Sequence, residues 1–513
     1  MCKGTGHCEI RDSARDHSGD EMTPKIRHNL DTAPRETTGF EELMLLRGRR
    51  GVPVGEVAIH GSDPFYETPF RVGESVAAAL AATGVAANDI WQARTGSRQK
   101  VQVDLRHAAA MLRTVDYTQL RGETGDYRII PIPEAMAHMI SVTQPWQAAD
   151  GRWVLPHFNL PHLARRVLDV LDCESTPQSV QEAVGRWSSD ALEEAIAAAD
   201  ACGGKIRTAQ EWLLHPQGRY LADKPAIEIV RIGDSAPEPF HPGERPLSGV
   251  RVLDLTRILA GPIAGRTLAE HGADVLMVAA PDLPQTPEHV RDTSHGKRSC
   301  FLDIARAEGA RRLMALAADA DVFIDGYRPG RLASRGLGVE ALAEKRPGII
   351  HLTISCFGPG GPFASRAGWE QVAQAVTGVC HTNGQLSGDG TPKLVFAPMC
   401  DYMTGYLAAY GVMLALARRA REGGSYSVHV SLCQSAMFVQ RQGLLSDFQG
   451  ATGRLTGSEV EAHYVSAETC YGLLRTLGPA LQMSQTPCHW SRPTPALGSD
   501  RPEWLPRESA ASI

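Results

Sequence analysis

The sequence predicts an α/β fold whose core is a parallel, Rossmann-like sheet. Residues 250–256 form a short apolar run with the composition of a buried parallel strand. A turn of small residues at 260–262 and an apolar helix over 263–271 follow, and a second strand begins at 273. The same order continues to a helix that opens with Asp401. Alternation of apolar strands and helices is typical of βαβ units, which place their strands parallel in one sheet.

The composition is that of an ordinary globular protein. The chain has 513 residues, 43% hydrophobic and 21% charged, enough for two or more domains. A net charge of -6 argues against a nucleic-acid partner, and no apolar run is long enough to predict a membrane span. No secretory signal is apparent and the eleven cysteines are scattered, so we expect reduced thiols and a cytoplasmic protein. Cys2, His7 and Cys8 lie close together without an obvious fourth ligand, so no metal site is predicted.

The chain divides into four predicted parts. The first is polar and is expected to be disordered or loosely attached. A proline-rich stretch at 237–246 separates the two central regions, and prolines make the last part irregular. The four parts are residues 1–54, 55–240, 247–440 and 441–513.

An internal repeat relates the two central regions at an offset of 327 residues. The sequence around Leu80 aligns without gaps on the sequence around Leu407, and both copies predict an Ala-rich helix, a Gly turn, a strand and a second helix. At this offset Glu74 falls on Asp401. Because the helix dipole favours an acidic residue at a helix start, a structural role for Glu74 is preferred over a catalytic one.

Basic residues follow the ends of several predicted strands. Lys297 and Arg298 come after the second strand and its loop, Arg328 follows a strand that ends near residue 326, and Arg335 lies one short helix later. Ligands of α/β proteins bind at the carboxyl edge of the sheet, and phosphates are bound by cations and backbone amides. This placement favours ligand contacts for these residues, although a lone Lys or Arg is usually a solvated surface charge. No G-x-G-x-x-G follows a strand, so a dinucleotide site is not indicated.

The order and spacing of these motifs resemble the family III coenzyme A transferases, the group of formyl-CoA transferase, carnitine CoA-transferase and α-methylacyl-CoA racemase. The elements that carry the resemblance are 257–262, 296–298, 327–330, 357–361 and 401–405. The resemblance implies a Rossmann-like core with a smaller α+β domain. Residues 247–440 are then the CoA-binding core, and residues 55–240 resemble the C-terminal half of the family, placed first.

The resemblance also implies substrates, partners and contacts. The substrates are an acyl-CoA and a small carboxylic acid, with no tightly bound cofactor, and the assembly is an interlocked homodimer. A glycine-rich loop matching 357–361 abuts the active site in the family. The residues that match CoA contacts are Arg257, Ala260, Lys297, Arg298, Tyr327, Arg328 and Arg335.

Asp401 is the candidate catalytic residue. An aspartate at a helix start is usually an N-cap. The resemblance implies instead that its carboxylate attacks an acyl-CoA thioester and forms an aspartyl mixed anhydride. The helix dipole and free amides favour the ionised form that this attack requires.

Two departures from the family pattern leave alternatives open. The racemases place a histidine in the segment that matches 367–370, where this chain has Trp369, and His381 further on is off the pattern. An acidic-basic element after the second strand is replaced by Ala279 and Ala280, which removes one CoA contact. The alternatives are an acyl-CoA racemase or isomerase and a non-catalytic CoA-binding homologue.

Overall fold

The computed structural model describes residues 38–48, 51–396 and 398–506, so the Cys2, His7 and Cys8 group lies outside the described residues. The strands of the first region are β1 (Val57–His60), β2 (Val101–Asp104), β3 (Gln119–Arg121), β4 (Tyr127–Ile129), β5 (Trp146–Gln147), β6 (Trp153–Pro156), β7 (Gly203–Lys205) and β8 (Glu228–Gly233). The helices up to this point are α1 (Gly39–Leu46), α2 (Val72–Thr95), α3 (Leu105–Ala110), α4 (Glu134–Val142), α5 (Pro161–Leu171), α6 (Pro177–Val184), α7 (Ser189–Ala198), α8 (Ala209–Leu214) and α9 (Pro216–Ala222), with a 3-10 helix at Met111–Tyr117.

The second region and the closing segment complete the elements. The next strands are β9 (Arg251–Asp254), β10 (Asp274–Ala279), β11 (Arg298–Phe301), β12 (Val322–Asp325), β13 (Ile350–Ser355), β14 (Ser425–Ser431), β15 (Tyr464–Thr469), β16 (Gly472–Leu477) and β17 (Leu481–Met483). The helices are α10 (Ala260–Glu270), α11 (Pro287–Thr293), α12 (Ala307–Ala317), α13 (Val339–Lys345), α14 (Glu370–Thr377), α15 (Val379–Ser387), α16 (Met399–Glu422), α17 (Leu432–Arg441) and α18 (Gly457–Glu461), with a 3-10 helix at Ala333–Arg335.

The largest sheet has the strand order β11-β10-β9-β12-β13-β14-β8. Strands β9 to β14 are parallel, which confirms the predicted Rossmann-like core, and β8 adds to β14 in the antiparallel direction. Successive residues of β9 enter two different cores, Val252 on the side of α10 and α16 and Leu253 on the side of α12. The strand order reverses between β9 and β12, the position where α/β sheets open a crevice for ligands.

The strands also show how the predicted parts of the chain are joined. Strand β8 belongs to the first region in sequence but to the large sheet in space. In the closing segment β17 pairs with β2, and β16 pairs with β3, so this segment adds strands to two sheets of the first region. The four-part division itself stays a prediction.

A small antiparallel sheet, β5-β6-β7, forms a separate layer with α5, α6 and α7. Its core includes Val154, Val167, Val184 and Ile196, all buried, and is distinct from the two cores of the large sheet. This unit is the smaller α+β part of the fold.

The internal repeat is visible in the structure. Helices α2 and α16 have 24 residues each and occupy equivalent positions in the two copies. Each is followed by a strand and a second helix, and the two long helices pack against one another. A Cβ on Gly84 would lie 2.6 Å from Val101 Cγ1, and one on Gly411 would lie 2.8 Å from Val428 Cγ1. Both copies therefore use a glycine to bring the helix close to a valine of the next strand.

One element lies within the stretch predicted to be disordered or loosely attached. Helix α1 opens with a capping box between Thr38 and Glu41, and Leu43 is fully buried. The Tyr410 hydroxyl of α16 donates a hydrogen bond to the Leu43 carbonyl at 2.8 Å. The prediction of loose attachment does not hold for this helix, because it is fixed to the central helix of the fold.

Among the described residues, no helix combines the length and the apolar character that crossing a bilayer requires.

Candidate active site

A cavity of about 410 Å³ lies at the carboxyl edge of the large sheet, where β9, β12 and β13 end. We call it the cationic cavity, because several arginines line it. Five of the seven predicted CoA contacts line this cavity together with Asp401: Arg257, Ala260, Tyr327, Arg328 and Arg335. The strand ends thus bring together residues that are up to 144 positions apart in sequence, from 257 to 401.

The turn after β9 depends on close backbone packing. Ile258 adopts a positive φ of 75°, a conformation that is unusual for a β-branched residue and is often found at functional sites. A Cβ on Gly261 would lie 2.3 Å from Thr256 Cβ, so only glycine fits at the start of α10. The turn places Arg257 and Ala260 on the wall of the cavity.

Two cations of this cavity have no carboxylate partner among the described residues. Arg257 Nη1 donates to the Pro284 carbonyl at 3.0 Å, and Arg335 Nη1 donates to the Arg331 carbonyl at 3.3 Å. Arg328 differs, since it forms an ion pair with Asp200 from the small unit. Arg257 and Arg335 therefore keep their charge available for an anionic ligand.

Lys297 and Arg298 do not line the cationic cavity. Lys297 Nζ is buried and donates to Asp254 Oδ2 and to the Pro262 carbonyl, both at 2.8 Å. Arg298 Nη2 lies 3.1 Å from Asp274 Oδ2, and its Nη1 donates to the Glu503 carbonyl at 2.8 Å. Both side chains are occupied by internal partners, so the structure places these two predicted contacts in the scaffold.

Asp401 lies where two cavities meet. It occupies the first turn of α16, is 8% exposed, and lines both the cationic cavity and a second cavity of about 180 Å³. We call the second one the apolar cavity, because isoleucines and methionines of segment 130–140 form much of its wall. A carboxylate at this junction can contact two ligands, one from each side.

Glu370 is a second buried carboxylate beside Asp401, and the sequence reasoning did not single it out. It opens α14 directly after Trp369, and its Oε2 accepts a hydrogen bond from the Asp401 backbone N–H at 2.7 Å. Gln374 Nε2 donates to Glu370 Oε1 at 2.6 Å. The sequence feature that could have drawn attention to Glu370 is its position at the end of segment 367–370, directly after the tryptophan that departs from the racemase pattern.

Both carboxylates have a raised pKa. Burial, followed by the repulsion of Glu370, raises the pKa of Asp401 well above its ordinary value. Burial also raises the pKa of Glu370, but hydrogen bonds from Gln374 and from the Cys400 and Asp401 amides oppose this rise. No hydrogen bond to the Asp401 carboxylate is present among the described residues, so we place a proton shared by the pair on Asp401.

Trp369 occupies the segment in which the racemase pattern has a histidine. It lines both cavities, and its ring stacks on His157 at 5.1 Å between centroids. His157 is buried, which lowers its pKa to about 4, and it lines neither cavity. His381 lies in α15, also away from both.

The glycine-rich loop at 357–361 flanks the cationic cavity without lining it. Gln217 Nε2 donates to the Phe357 carbonyl at 2.7 Å and to the Gly360 carbonyl at 2.9 Å, and Gln217 Oε1 accepts from the Phe363 N–H at 2.7 Å. A Cβ on Gly361 would lie 2.4 Å from Gln217 Oε1. The glycines serve close packing against α9.

Glu74, the counterpart of Asp401 in the repeat, is in a different environment. It pairs with Arg71 at 3.1 Å, and both side chains are about one third exposed. Asp63 accepts hydrogen bonds from the Gly73 and Glu74 amides, so a protein carboxylate already caps this helix start. Glu74 lines neither cavity, which supports a structural role.

Several residues that line the two cavities were not predicted from the sequence. His162, Arg331 and Arg366 line the cationic cavity, and Arg113 and Arg291 line the apolar cavity. Burial, followed by the charges of Arg166, Arg257 and Arg328, lowers the pKa of His162. The cavity is therefore electropositive, although the chain as a whole carries a net negative charge.

The fold and the site define an α/β enzyme with a buried carboxylate between a cationic and an apolar cavity. The chain belongs to CoA-transferase family III, whose family model matches residues 54–222 and 247–476. It is therefore a CoA-transferase, and acyl-CoA thioesters and carboxylic acids are the substrates of this class.

Individual relatives carry related names. The chain is 31% identical over 412 residues to an acyl-CoA transferase of Gibberella moniliformis, with 73% of this chain and 72% of that protein covered. It is 36% identical over 203 residues to the succinyl-CoA:glutarate CoA-transferase of Mus musculus, covering 37% of this chain and 46% of that protein. A crystal structure of a CAIB/BAIF family protein from Brucella suis is 29% identical and covers 45% of this chain and 65% of that one, with a TM-score of 0.36. That score is below 0.5, so the assignment rests on the sequence matches.

Proposed function

We propose that this enzyme moves CoA from an acyl-CoA donor to a carboxylic acid acceptor, with Asp401 as the nucleophile. The observation that carries the proposal is the position of the Asp401 carboxylate, which lines both the cationic and the apolar cavity. A thioester bound across this junction presents its carbonyl carbon to the carboxylate. The CoA moiety then lies on the cationic side and the acyl group on the apolar side.

The transfer proceeds in four displacements at carbonyl carbons. The Asp401 carboxylate attacks the thioester, the C–S bond breaks, and CoA leaves as a thiolate with the bonding electrons, which produces the mixed anhydride. The thiolate attacks the aspartyl carbonyl and expels the donor acid as its carboxylate, which leaves an aspartyl-CoA thioester. The acceptor carboxylate displaces the thiolate from that thioester, and the thiolate then attacks the acceptor acyl carbon and expels the Asp401 carboxylate.

Two arginines that have no carboxylate partner in the described part of the chain support the placement of CoA. We expect Arg257→Gln and Arg335→Gln each to weaken CoA binding about 10- to 100-fold, because each removes a cation available to a phosphate, an interaction worth roughly 1.5–3 kcal/mol. Titration calorimetry with CoA measures this change. Arg306→Gln is the matched control, since Arg306 is exposed, pairs with Asp303 and lines neither cavity. Equal affinities in all three variants would contradict this placement.

The carboxylate pair predicts a pH dependence. Asp401 attacks only when ionised, so kcat/KM rises as pH increases through its raised pKa. Glu370→Gln removes the neighbouring negative charge and lowers the pKa of Asp401, so the acidic limb of the profile is expected to move to lower pH. The Gln carbonyl can still accept the Asp401 N–H. A pH–rate profile for both proteins measures the shift, and a shift to higher pH would contradict the coupling.

Covalent trapping tests the proposed intermediate directly. The enzyme is incubated with a panel of acyl-CoA thioesters, and peptides are analysed by mass spectrometry. A CoA or acyl mass on the Asp401 peptide supports the mechanism. Deuterium incorporation at the α-carbon of the acyl group without CoA exchange would support the racemase alternative. CoA binding without adduct or exchange would support the non-catalytic homologue.

The proposal includes an interlocked homodimer and a cytoplasmic location. Within one chain the two long helices of the repeat, α2 and α16, already pack together. The oligomeric state therefore needs a direct measurement. Light scattering coupled to size-exclusion chromatography measures the mass of the particle. A monomer with full activity would contradict the proposed homodimer.

A further inference from the structure

The apolar cavity beside Asp401 has two unlike walls. One wall comes from segment 130–140 and from the turn after β9, and includes Ile130, Ile132, Met136, Met139, Ile258 and Leu259. Ile132 is 64% exposed and Ile140 is 44% exposed, so this wall presents apolar surface that an apolar ligand would cover. The carbon chain of a substrate fits against it.

The other wall is polar and incompletely hydrogen-bonded. Glu288, His289 and Arg291 lie on α11 and line the same cavity. The atoms Glu288 Oε2, His289 Nδ1 and Arg291 Nε are buried and have no hydrogen-bond partner within the described part of the chain. Buried polar atoms in native proteins are nearly always paired, so three on one short helix beside a cavity indicate a missing partner.

The charges of this wall discriminate between polar partners. Glu288 and Arg291 carry opposite charges, and burial lowers the pKa of His289 to about 4, so this histidine is neutral at pH 7. Arg113, the other cation that lines the cavity, is paired with Asp116 at 2.5 Å. A second carboxylate on the ligand can accept from Arg291 but is repelled by Glu288. A hydroxyl is both a donor and an acceptor, so it can donate to Glu288 and accept from Arg291.

We propose that the acid handled at Asp401 is a hydrophobic hydroxy acid, whose hydroxyl is bound by Glu288 and Arg291 and whose carbon chain lies against segment 130–140. This inference rests on the transferase function proposed above. It excludes short dicarboxylic acids as the preferred class, because they bring a second charge and little apolar surface.

Matched acceptor acids test the inference. The wild-type enzyme, with acetyl-CoA or succinyl-CoA as donor, is assayed with octanoate, with hydroxyoctanoate bearing its hydroxyl on the last carbon, and with octanedioate. We expect kcat/KM for hydroxyoctanoate to exceed that for octanoate at least about 10-fold, because a site built for a hydroxyl leaves buried groups unpaired when it is absent. Glu288→Gln and Arg291→Gln are expected to reduce this ratio, while Arg306→Gln retains it.

The outcomes separate the inference from the transferase function. No transfer to any acid and no adduct at Asp401 would remove the function and the inference together. Transfer with equal rates for octanoate and hydroxyoctanoate, or a ratio unchanged by Glu288→Gln and Arg291→Gln, would overturn the inference alone. Preference for octanedioate, or transfer to succinate but to none of the longer acids, would also overturn it and leave the transferase in place.

Discussion

Asp401→Asn is expected to lower kcat for CoA transfer by roughly three orders of magnitude or more, as loss of a covalent nucleophile does in other enzymes. The amide has nearly the same shape but cannot form the mixed anhydride. The Asp401 carboxylate accepts no hydrogen bond among the described residues, so the substitution removes reactivity without breaking a structural contact. Steady-state assays of CoA transfer and trapping of the peptide adduct measure the effect.

The internal repeat supplies the control for this experiment. Glu74→Gln makes the same carboxylate-to-amide change at the equivalent helix start, where Glu74 pairs with Arg71 on the surface. Exposed pairs contribute little, so we expect unchanged activity and stability. Full activity of Asp401→Asn would refute the nucleophile. Loss of activity in Glu74→Gln at unchanged stability would instead show that the first copy takes part in catalysis.

The core of the fold was accessible from sequence because its signals are local. Apolar strands such as 250–256 and the helix that follows alternate regularly, and the structure places β9, α10 and β10 there. The pairing of β8 with β14 was not accessible, since the partners are some 200 residues apart and no local pattern records an antiparallel addition. The antiparallel pairing of β17 with β2 joins residues still further apart, Leu481 and Val103 among them, and was equally inaccessible.

The grouping of residues around the cationic cavity could be predicted where the backbone position alone decides it. Arg257, Tyr327 and Arg328 come two or three residues after the ends of β9 and β12. Such positions meet at the carboxyl edge of the sheet independently of side-chain direction. Whether Lys297 and Arg298 reach the cavity depends on the direction of their side chains. That direction is set by neighbours from other strands. The partners Asp254 and Asp274 could be recognised only once the strand order was known.

Replacement of Lys297 distinguishes a structural role in the buried ion pair from the CoA contact predicted from the sequence. Lys297→Met is expected to destabilise the folded protein by about 3–5 kcal/mol, because it leaves Asp254 buried and unpaired. The Asp254–Lys297 pair packs closely against Gly265 of α10. A Cβ on Gly265 would lie 2.6 Å from Asp254 Oδ2 and 2.9 Å from Lys297 Nζ. The midpoint of urea unfolding measures the loss, and CoA affinity is measured on the folded fraction at low temperature.

A second substitution identifies the cause of that loss. Asp254→Asn combined with Lys297→Met removes both charges, so the double variant is expected to be more stable than Lys297→Met alone. Arg306→Met breaks only an exposed pair with Asp303 and should change stability by at most about 1 kcal/mol. If Lys297→Met instead kept its stability and lost CoA affinity, Lys297 would be the ligand contact that its sequence position suggested. The buried ion pair would then be an arrangement that CoA binding disrupts.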